Sequence, residues 1–230
     1  MSGDRAAAIV LAAGAGRRVG AKIPKAFLPI GGRPILSVAA AAAAASPAVE
    51  ALVVTAPPGY ETEARACVEG LALPTTVLTG GLTRQASVRA ALSALGEDIA
   101  VVAIHDAARP FAPPDLFTAV IEAVREGAAG AVPLVPVTDT VKRVLGGHVV
   151  GTVDREELGL AQTPQAFRVA ELLHVHDLAA QEGREVTDDA MLLEGVADVV
   201  GVAGDPMNVK ITTMLDLARA DARMGGPASG

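Results

Sequence analysis

Ala7-Ala8-Ile9-Val10-Leu11-Ala12-Ala13-Gly14-Ala15-Gly16-Arg17-Arg18-Val19-Gly20-Ala21-Lys22-Ile23-Pro24-Lys25 is the stretch on which the reading of the fold turns. Its first six residues form an unbroken apolar run, the pattern of a strand buried on both faces. The loop after this run is built from Gly and Ala and carries four cations, Arg17, Arg18, Lys22 and Lys25. Small residues let a backbone approach a phosphate chain closely, and successive N–H groups make an anion-binding concavity. Two known phosphate loops do not fit. The Walker A order G-x-x-x-x-G-K-[ST] is absent. The dinucleotide fingerprint G-x-G-x-x-G requires Gly where Val19 stands, then a helix, then an acid about 20 residues on. Pro24, Pro29, Gly31-Gly32 and Pro34 interrupt any such helix, and no acid stands between Asp4 and Glu50. A basic, small-residue loop at the C-terminal end of a strand remains, the position where open α/β sheets bind ligands.

Outward from this loop the chain alternates apolar runs with helical segments. Residues 35–45 read as a helix, 49–55 as a strand closed by Pro57-Pro58-Gly59, and 61–69 as a helix. Residues 75–78 read as a strand ended by Gly80-Gly81, 84–95 as a helix, and 99–104 as a strand followed by the polar turn His105-Asp106. A helix enters at Pro113-Pro114 and runs over 114–126. Strands alternating with helices imply βαβ units and a parallel sheet. The pattern changes near residue 130. After a strand at 131–137, residues 139–153 alternate apolar with polar around Gly146-Gly147, the pattern of a β-hairpin. A lone hairpin is marginal in water, so this arm, about 138–155, is expected to meet a second subunit. Helices are read at 170–181, 188–194 and 212–223, the last capped by Thr212 or Thr213, with a strand at 199–202 and a frayed tail at 225–230. With no repeat and no long linker, residues 1–230 are expected to form one α/β domain. Its fold class is Rossmann-like: a mostly parallel sheet with helices on both faces and a projecting β-hairpin arm.

Composition narrows the function. Of 230 residues 51% are hydrophobic and 2% aromatic, and 19 basic against 26 acidic residues leave a net charge of −7. A disordered chain lacks that apolar content. Stacking platforms for single-stranded nucleic acid need more aromatics, and an acidic chain is no general polyanion binder, so no nucleic-acid partner is expected. Cys67 is the only cysteine. It forms no internal disulfide, and a cytoplasmic location is the default. The four His do not make a metal-binding pair at helical spacing. Residues 6–13 after Arg5 mimic a signal segment but run straight into the basic loop, and 34–45 fall short of the roughly 20 residues of a membrane span. No membrane association is expected.

Further motifs carry a family resemblance. Leu11 to Phe27 fits L-A-A-G-x-G-x-R…P-K-x-F. Next in order stand Gly80-Gly81-Leu82-Thr83-Arg84-Gln85-Ala86-Ser87-Val88, Val102 to Pro110 with its His105-Asp106-Ala107-Ala108-Arg109-Pro110, and Pro136 to Lys142 with its Asp139-Thr140-Val141-Lys142. Arg155, then Gln162-Thr163-Pro164-Gln165-Ala166-Phe167, then Thr187-Asp188-Asp189-Ala190 and Asn208-Val209-Lys210-Ile211-Thr212 complete the set. Each is weak alone; in register over nearly the whole chain they make it resemble the 2-C-methyl-D-erythritol 4-phosphate cytidylyltransferases. The resemblance implies transfer of CMP from CTP to methylerythritol phosphate with release of pyrophosphate, in non-mevalonate isoprenoid synthesis. The acceptor is a phosphate monoester, largely dianionic near pH 7 because its second pKa is about 6. Such chemistry calls for orientation and charge stabilisation, not for a strong base.

The resemblance also implies residue roles. Arg18 and Lys25 match the pair that stabilises the transition state, and Lys210 matches a second lysine facing the reacting phosphates. Ala12, Ala13, Gly14 and Gly16 match the backbone cradle for CTP. Gly81 and Ser87 match the positions that read cytosine, with Arg84 between them. Asp106 ends its strand, with acceptor hydroxyls, ribose and a metal as alternative partners. Thr140 and Arg155 lie on the arm, which in the family reaches a neighbouring subunit and binds the acceptor phosphate there, so a homodimer is expected. Thr163 and Thr187 match further acceptor contacts. Mg²⁺ is expected to arrive mainly on the nucleotide phosphates, which it prefers together with retained waters. His105 reads as structural, Asp188 as a helix N-terminal acid and Lys142 as surface charge. Leu82 and Met207 stand where the family often carries charged residues. The chain's end at residue 230 leads to the expectation of a form without a fused cyclase domain. Rival readings are a ribitol-5-phosphate cytidylyltransferase, a dehydrogenase (disfavoured by the loop) and a non-catalytic nucleotide-binding module.

Overall fold

The central strand of the molecule is the one that begins the chain, because its side chains are small or branched and apolar on both faces. A computed structural model describes residues 4–14 and 23–225. Gly16 and Arg18, both expected in the phosphate loop, lie outside the described residues, as do Arg17, Lys22 and residues 226–230. In chain order the first half comprises β1 (Arg5–Leu11), the ribbon β2 (Pro29–Ile30) and β3 (Arg33–Pro34), α1 (Ile35–Ala44), β4 (Ala51–Ala56), α2 (Glu61–Val68), β5 (Thr75–Thr79) and α3 (Arg84–Leu92). Next come β6 (Ile99–Asp106), α4 (Pro114–Arg125), β7 (Gly130–Pro136), β8 (Val141–Leu145) and β9 (His148–Val153). The chain then forms β10 (Gly159–Ala161), β11 (Gln165–Arg168), α5 (Val169–Gln181), β12 (Val199–Ala203) and α6 (Met214–Arg223).

The main sheet runs β10-β7-β11-β6-β1-β4-β5, with β12 paired to β7. β1 pairs in parallel with β4 and β6, β4 with β5, and β7 with β12. Along β1 the faces alternate with period two. Ala6, Ala8 and Val10 pack in a core with α1, α2 and α4, while Ile9 packs on the other face with α3 and α5. This is the expected mainly parallel sheet with helices on both faces. Chain order reverses direction at β1, since β4 and β5 extend to one side and β6 to the other, and Leu11 stands opposite Asp106 at the strand ends. Such a switch point opens a crevice beyond the carboxyl ends of the strands.

Two local readings change. The expected helix at 188–194 is only a 3-10 turn, Ala190–Leu192. Asp188 Oδ1 accepts from the Met191 amide at 3.1 Å, and Gly195 takes φ +75°, so one turn closes and the chain leaves. Residues 159–168, not read as strand, supply β10 and β11, which run antiparallel to β7, with β11 also antiparallel to β6. β11 fills the space between the two parallel halves. The Phe167 ring lies against Gly130, where an added Cβ would meet it at 2.9 Å. The hairpin forms as expected. β8 and β9 pair only with each other around Gly146 and Gly147, which take φ +55° and +81° as a primed turn demands. Thr213, one of the two expected caps, accepts from the Asp216 amide and begins α6 in a reciprocal capping box.

Candidate active site

A cleft of about 430 Å³ opens at the switch point. Its walls come from four separate segments: Ala12, Ala13 and Gly14 after β1, Gly81 to Arg84 and Ser87 at the start of α3, Asp106 to Ala108 at the end of β6, and Lys210 with Thr212 before α6. Lys25, in a short 3-10 turn, closes the edge. The structure therefore brings Lys25, Lys210, Ala12, Ala13, Gly14, Gly81, Arg84, Ser87 and Asp106 together.

Local packing explains the small residues. A Cβ on Gly80 would collide with the Ala13 side chain and meet Ser87 Oγ at 3.0 Å, so the first loop and the α3 entry touch only because residue 80 is glycine. Thr83 caps α3, accepting from the Ala86 amide at 3.0 Å. Ser87 Oγ accepts from the Gly81 amide at 3.1 Å and donates to the Thr83 carbonyl at 2.9 Å, which fixes the turn ahead of the helix. The Ala12 N–H donates to the Thr55 carbonyl at 2.9 Å and so continues the sheet, while Ala12 still lines the cleft.

Charge converges on Asp106. Lys210 Nζ donates to its Oδ2 at 2.5 Å, and Arg84 Nε approaches its Oδ1 at 3.4 Å. Burial by itself raises the carboxyl's pKa, but the opposing charges of Arg84 and Lys210 outweigh burial and bring it down to about 2. Lys25 Nζ donates to the Ile211 carbonyl at 2.8 Å, and the Ile211 amide donates to the Ala108 carbonyl at 2.8 Å, so both lysines are tied to the same strip of chain. Arg109, which sequence reasoning left without a role, holds that strip by donating to the Asn208 carbonyl at 2.9 Å.

Thr163 is buried next to the site and is not part of its lining. Its hydroxyl accepts from the Asp106 amide at 3.0 Å and lies 3.1 Å from His105 Nδ1, while His105 Nε2 lies 3.0 Å from the Arg109 carbonyl. The carbonyl can only accept, which places the His105 proton on Nε2 and makes Nδ1 the acceptor for Thr163. Burial, the dominant influence, pushes the His105 pKa down to about 4, so the ring is neutral at pH 7. The structural reading of His105 fits these contacts.

The remaining expected acceptor residues lie elsewhere. Thr140 is exposed on the arm, and Arg155 donates to the Thr138 carbonyl at 2.5 Å beside a second depression at the arm's base. Thr187 is exposed and donates to the Met191 sulfur. None of these three lines the cleft of its own chain. Asp188 caps its turn, and Lys142 bonds Thr152 across the hairpin. Asp189 was not singled out from sequence. It is fully buried, 2.7 Å from Arg84 Nη1. Its only sequence signal was its place in the Thr187-Asp188-Asp189 run.

The family model for 2-C-methyl-D-erythritol 4-phosphate cytidylyltransferase, IspD, matches residues 6–226. The chain belongs to the 2-C-methyl-D-erythritol 4-phosphate cytidylyltransferase family. It is 45% identical over 231 residues to the 2-C-methyl-D-erythritol 4-phosphate cytidylyltransferase of Streptomyces coelicolor, covering 95% of this chain and 84% of that protein. Among solved structures, the Thermus thermophilus 2-C-methyl-D-erythritol 4-phosphate cytidylyltransferase superimposes with a TM-score of 0.79 at 35% identity, covering 95% of this chain and 98% of that one. The 4-diphosphocytidyl-2C-methyl-D-erythritol synthase of Anaerococcus prevotii superimposes with a TM-score of 0.87 at 27% identity, covering 97% of each chain. As a member of this family the chain is a cytidylyltransferase, and the dehydrogenase and non-catalytic readings fall away. The matched span includes every segment that walls the cleft.

Proposed function

We propose that the cleft binds CTP and, with 2-C-methyl-D-erythritol 4-phosphate as acceptor, transfers CMP to form 4-diphosphocytidyl-2-C-methyl-D-erythritol and pyrophosphate. The observation that carries this reading is the gathering of Lys25, Lys210 and Arg84 around the backbone of residues 12–14 at the switch point of the sheet. An acceptor phosphate oxygen attacks the α-phosphorus, and the bond from that phosphorus to the oxygen bridging it to the β-phosphorus breaks. The two negative reactants are held together by Lys25 and Lys210, with Arg18 of the same loop assigned alongside them by the family pattern. Their charges stabilise the oxygens of the transferring group in the transition state. The acceptor phosphate is already ionised, so no protein base is required; His105, neutral and engaged at both nitrogens, supplies none. Gly81 and Ser87 are assigned to the base by the family pattern, in a turn that the Gly81 amide and the Ser87 hydroxyl hold together.

The donor set also bears on the metal. Among the described residues no group of three or more His, Cys, Asp or Glu converges, and Asp106 is the one carboxylate lining the cleft. That set suits Mg²⁺ held mainly by triphosphate oxygens and water, with Asp106 as its protein ligand, where it would neutralise charge on the phosphates. Lys210, which occupies Asp106 in the structure, would then turn its ammonium to the phosphates. Thr140 and Arg155, away from their own cleft, are assigned to the acceptor phosphate of a neighbouring subunit in a homodimer joined by the arm. Val144, Leu145, Val149 and Val150 are exposed on that arm, which supports this assignment. We assign the enzyme to the cytoplasm; no helix among the described residues is long and apolar enough to cross a membrane.

The test is pyrophosphate release by the purified chain with CTP, Mg²⁺ and each acceptor. Release with methylerythritol phosphate is expected. Release with ribitol 5-phosphate alone would overturn the acceptor assignment.

A further inference from the structure

Behind the cleft lie two buried ionisable side chains, Asp189 and His176, that form no part of its lining. The Asp189 side chain has no exposed surface, and its Oδ2 lies 2.7 Å from Arg84 Nη1. Its Oδ1 lies 3.3 Å from Nε2 of His176 on α5, itself fully buried. Arg84 in turn reaches Asp106 through Nε at 3.4 Å, and Asp106 binds Lys210. A carboxylate buried this deeply is costly unless it is closely paired. Asp189 lies away from the cleft surface, so any effect it has on a ligand passes through Arg84.

We infer that Asp189 is a positioning residue, a buried anchor that sets the orientation of the Arg84 guanidinium lining the nucleotide cleft. Its own place is fixed independently of Arg84. The Leu192 amide donates to the Asp189 carbonyl at 3.1 Å, closing the 3-10 turn. The neighbouring Gln85 donates to the Arg184 carbonyl at 3.2 Å and accepts from the Val186 amide at 3.3 Å, which clamps the approach to that turn onto α3. The guanidinium is a rigid planar fork, so contacts from Nη1 to Asp189 and from Nε to Asp106 set its plane as well as its position. Asp189 also decides how Asp106 is shared. With Nη1 held by Asp189, Arg84 reaches Asp106 only by its more distant Nε, and the other carboxylate oxygen stays with Lys210. Without the anchor, the nearest anion to Arg84 is Asp106, and a two-pronged pair between them displaces Lys210 and withdraws Arg84 from the nucleotide.

The inference rests on the reading of the cleft as a CTP site. Its test uses the purified full chain, with CTP affinity from titration calorimetry and steady-state constants from pyrophosphate release with methylerythritol phosphate and Mg²⁺. D189N is expected to raise the CTP dissociation constant and KM by about tenfold, the lower end of the loss when the partner supporting a binding side chain is removed. R84M is expected to give a loss of similar size, and D189N is expected to add nothing on the R84M background. A purely structural tie predicts instead a lower melting temperature and active fraction with CTP affinity unchanged; that result, or additive losses in the double variant, overturns the inference. If D189N does not fold, D189E keeps the buried charge and moves it by one methylene. A CTP dissociation constant raised by about threefold or more then supports the inference, and an unchanged one overturns it. A wild-type chain that neither binds CTP nor releases pyrophosphate defeats the cytidylyltransferase reading itself. A normal wild type with an indistinguishable D189N defeats only the role of Asp189.

Discussion

Lys210 donates a hydrogen bond to Asp106 at 2.5 Å, joining residues 104 positions apart in the sequence. The pair forms because the segment after β12 returns along the end of β6, held by the Ile211 amide on the Ala108 carbonyl and by Arg109 on Asn208. It stores a lysine beside the phosphate site with its charge compensated by a carboxylate that has little solvent of its own. With Arg84 on the other oxygen, Asp106 sits between two cations.

This pairing has a pH signature. The Asp106 pKa falls from 3.8 to about 2 on folding, because Arg84 and Lys210 together overcome the effect of burial. A depressed carboxylate stabilises the fold above its unfolded pKa and loses that contribution as pH falls through its folded value. Urea unfolding of wild type and Asp106→Asn is therefore expected to differ by a constant amount above about pH 4, with the difference shrinking between 3.8 and about 2. A difference that shrinks near neutrality instead would remove Asp106 as its source.

Lys25 faces the cleft from the edge, tied to the Ile211 carbonyl. Lys25→Ala is expected to lower turnover by about 100-fold, or about 3 kcal/mol, by analogy with loss of one transition-state donor. CTP affinity measured by calorimetry is expected to change far less. An unchanged turnover number excludes Lys25 from the chemistry.

His105 predicts a second, separate pH effect on stability. Burial takes its pKa from 6.5 to about 4, so the folded protein holds the neutral ring. The resulting stabilisation is complete above the unfolded value and is lost as pH falls from about 6.5 towards 4, with a slope of up to one proton, about 1.4 kcal/mol per pH unit. His105→Gln is expected to be less stable at pH 7.5 and to lack that slope. The Asp106 contribution is lost at lower pH and does not overlap. A variant with the wild-type slope between pH 6.5 and 4.5 would place the titrating group elsewhere.

Arg155 lies at the base of the arm and outside its own cleft. Arg155→Ala is expected to raise the acceptor's KM by about tenfold, a typical loss for a charged phosphate contact, and to leave CTP affinity nearly intact. Equal losses for both substrates would contradict the division of labour between arm and cleft.

Much of the fold was legible because it rests on local periodicity. The run at 7–12, the β-branched strand at 51–56, the amphipathic α4 and the Gly146-Gly147 turn each carry their pattern within a few residues. The misreadings occur where local patterns are short or compete. β10 and β11 are strand segments of three and four residues broken by Gln162-Thr163-Pro164; β11 takes strand form because the gap between β6 and β7 supplies partners on both sides, and β10 because β7 pairs with it. The expected helix at 188–194 starts under an Asp188 cap but stops after a single 3-10 turn, because Gly195 takes φ +75° and turns the chain away. In the site, motif order pointed to Lys25, Arg84, Asp106 and Lys210, and the tertiary structure adds that Thr163 supports the Asp106 backbone through its hydroxyl.

By itself the sequence determined the alternation of strands and helices, the presence of an arm, and a small-residue basic loop after the first strand. Those properties come from side-chain size, polarity and φ preference at neighbouring positions. Tertiary structure alone decided that Asp106 lies between Lys210 and Arg84, that Asp189 stands behind Arg84, and that Ala12 gives its N–H to β4. These contacts join segments brought together by the order of strands in the sheet. The strength of a buried charge depends on which opposite charge the fold places within a few ångströms of it, and no local pattern records that distance.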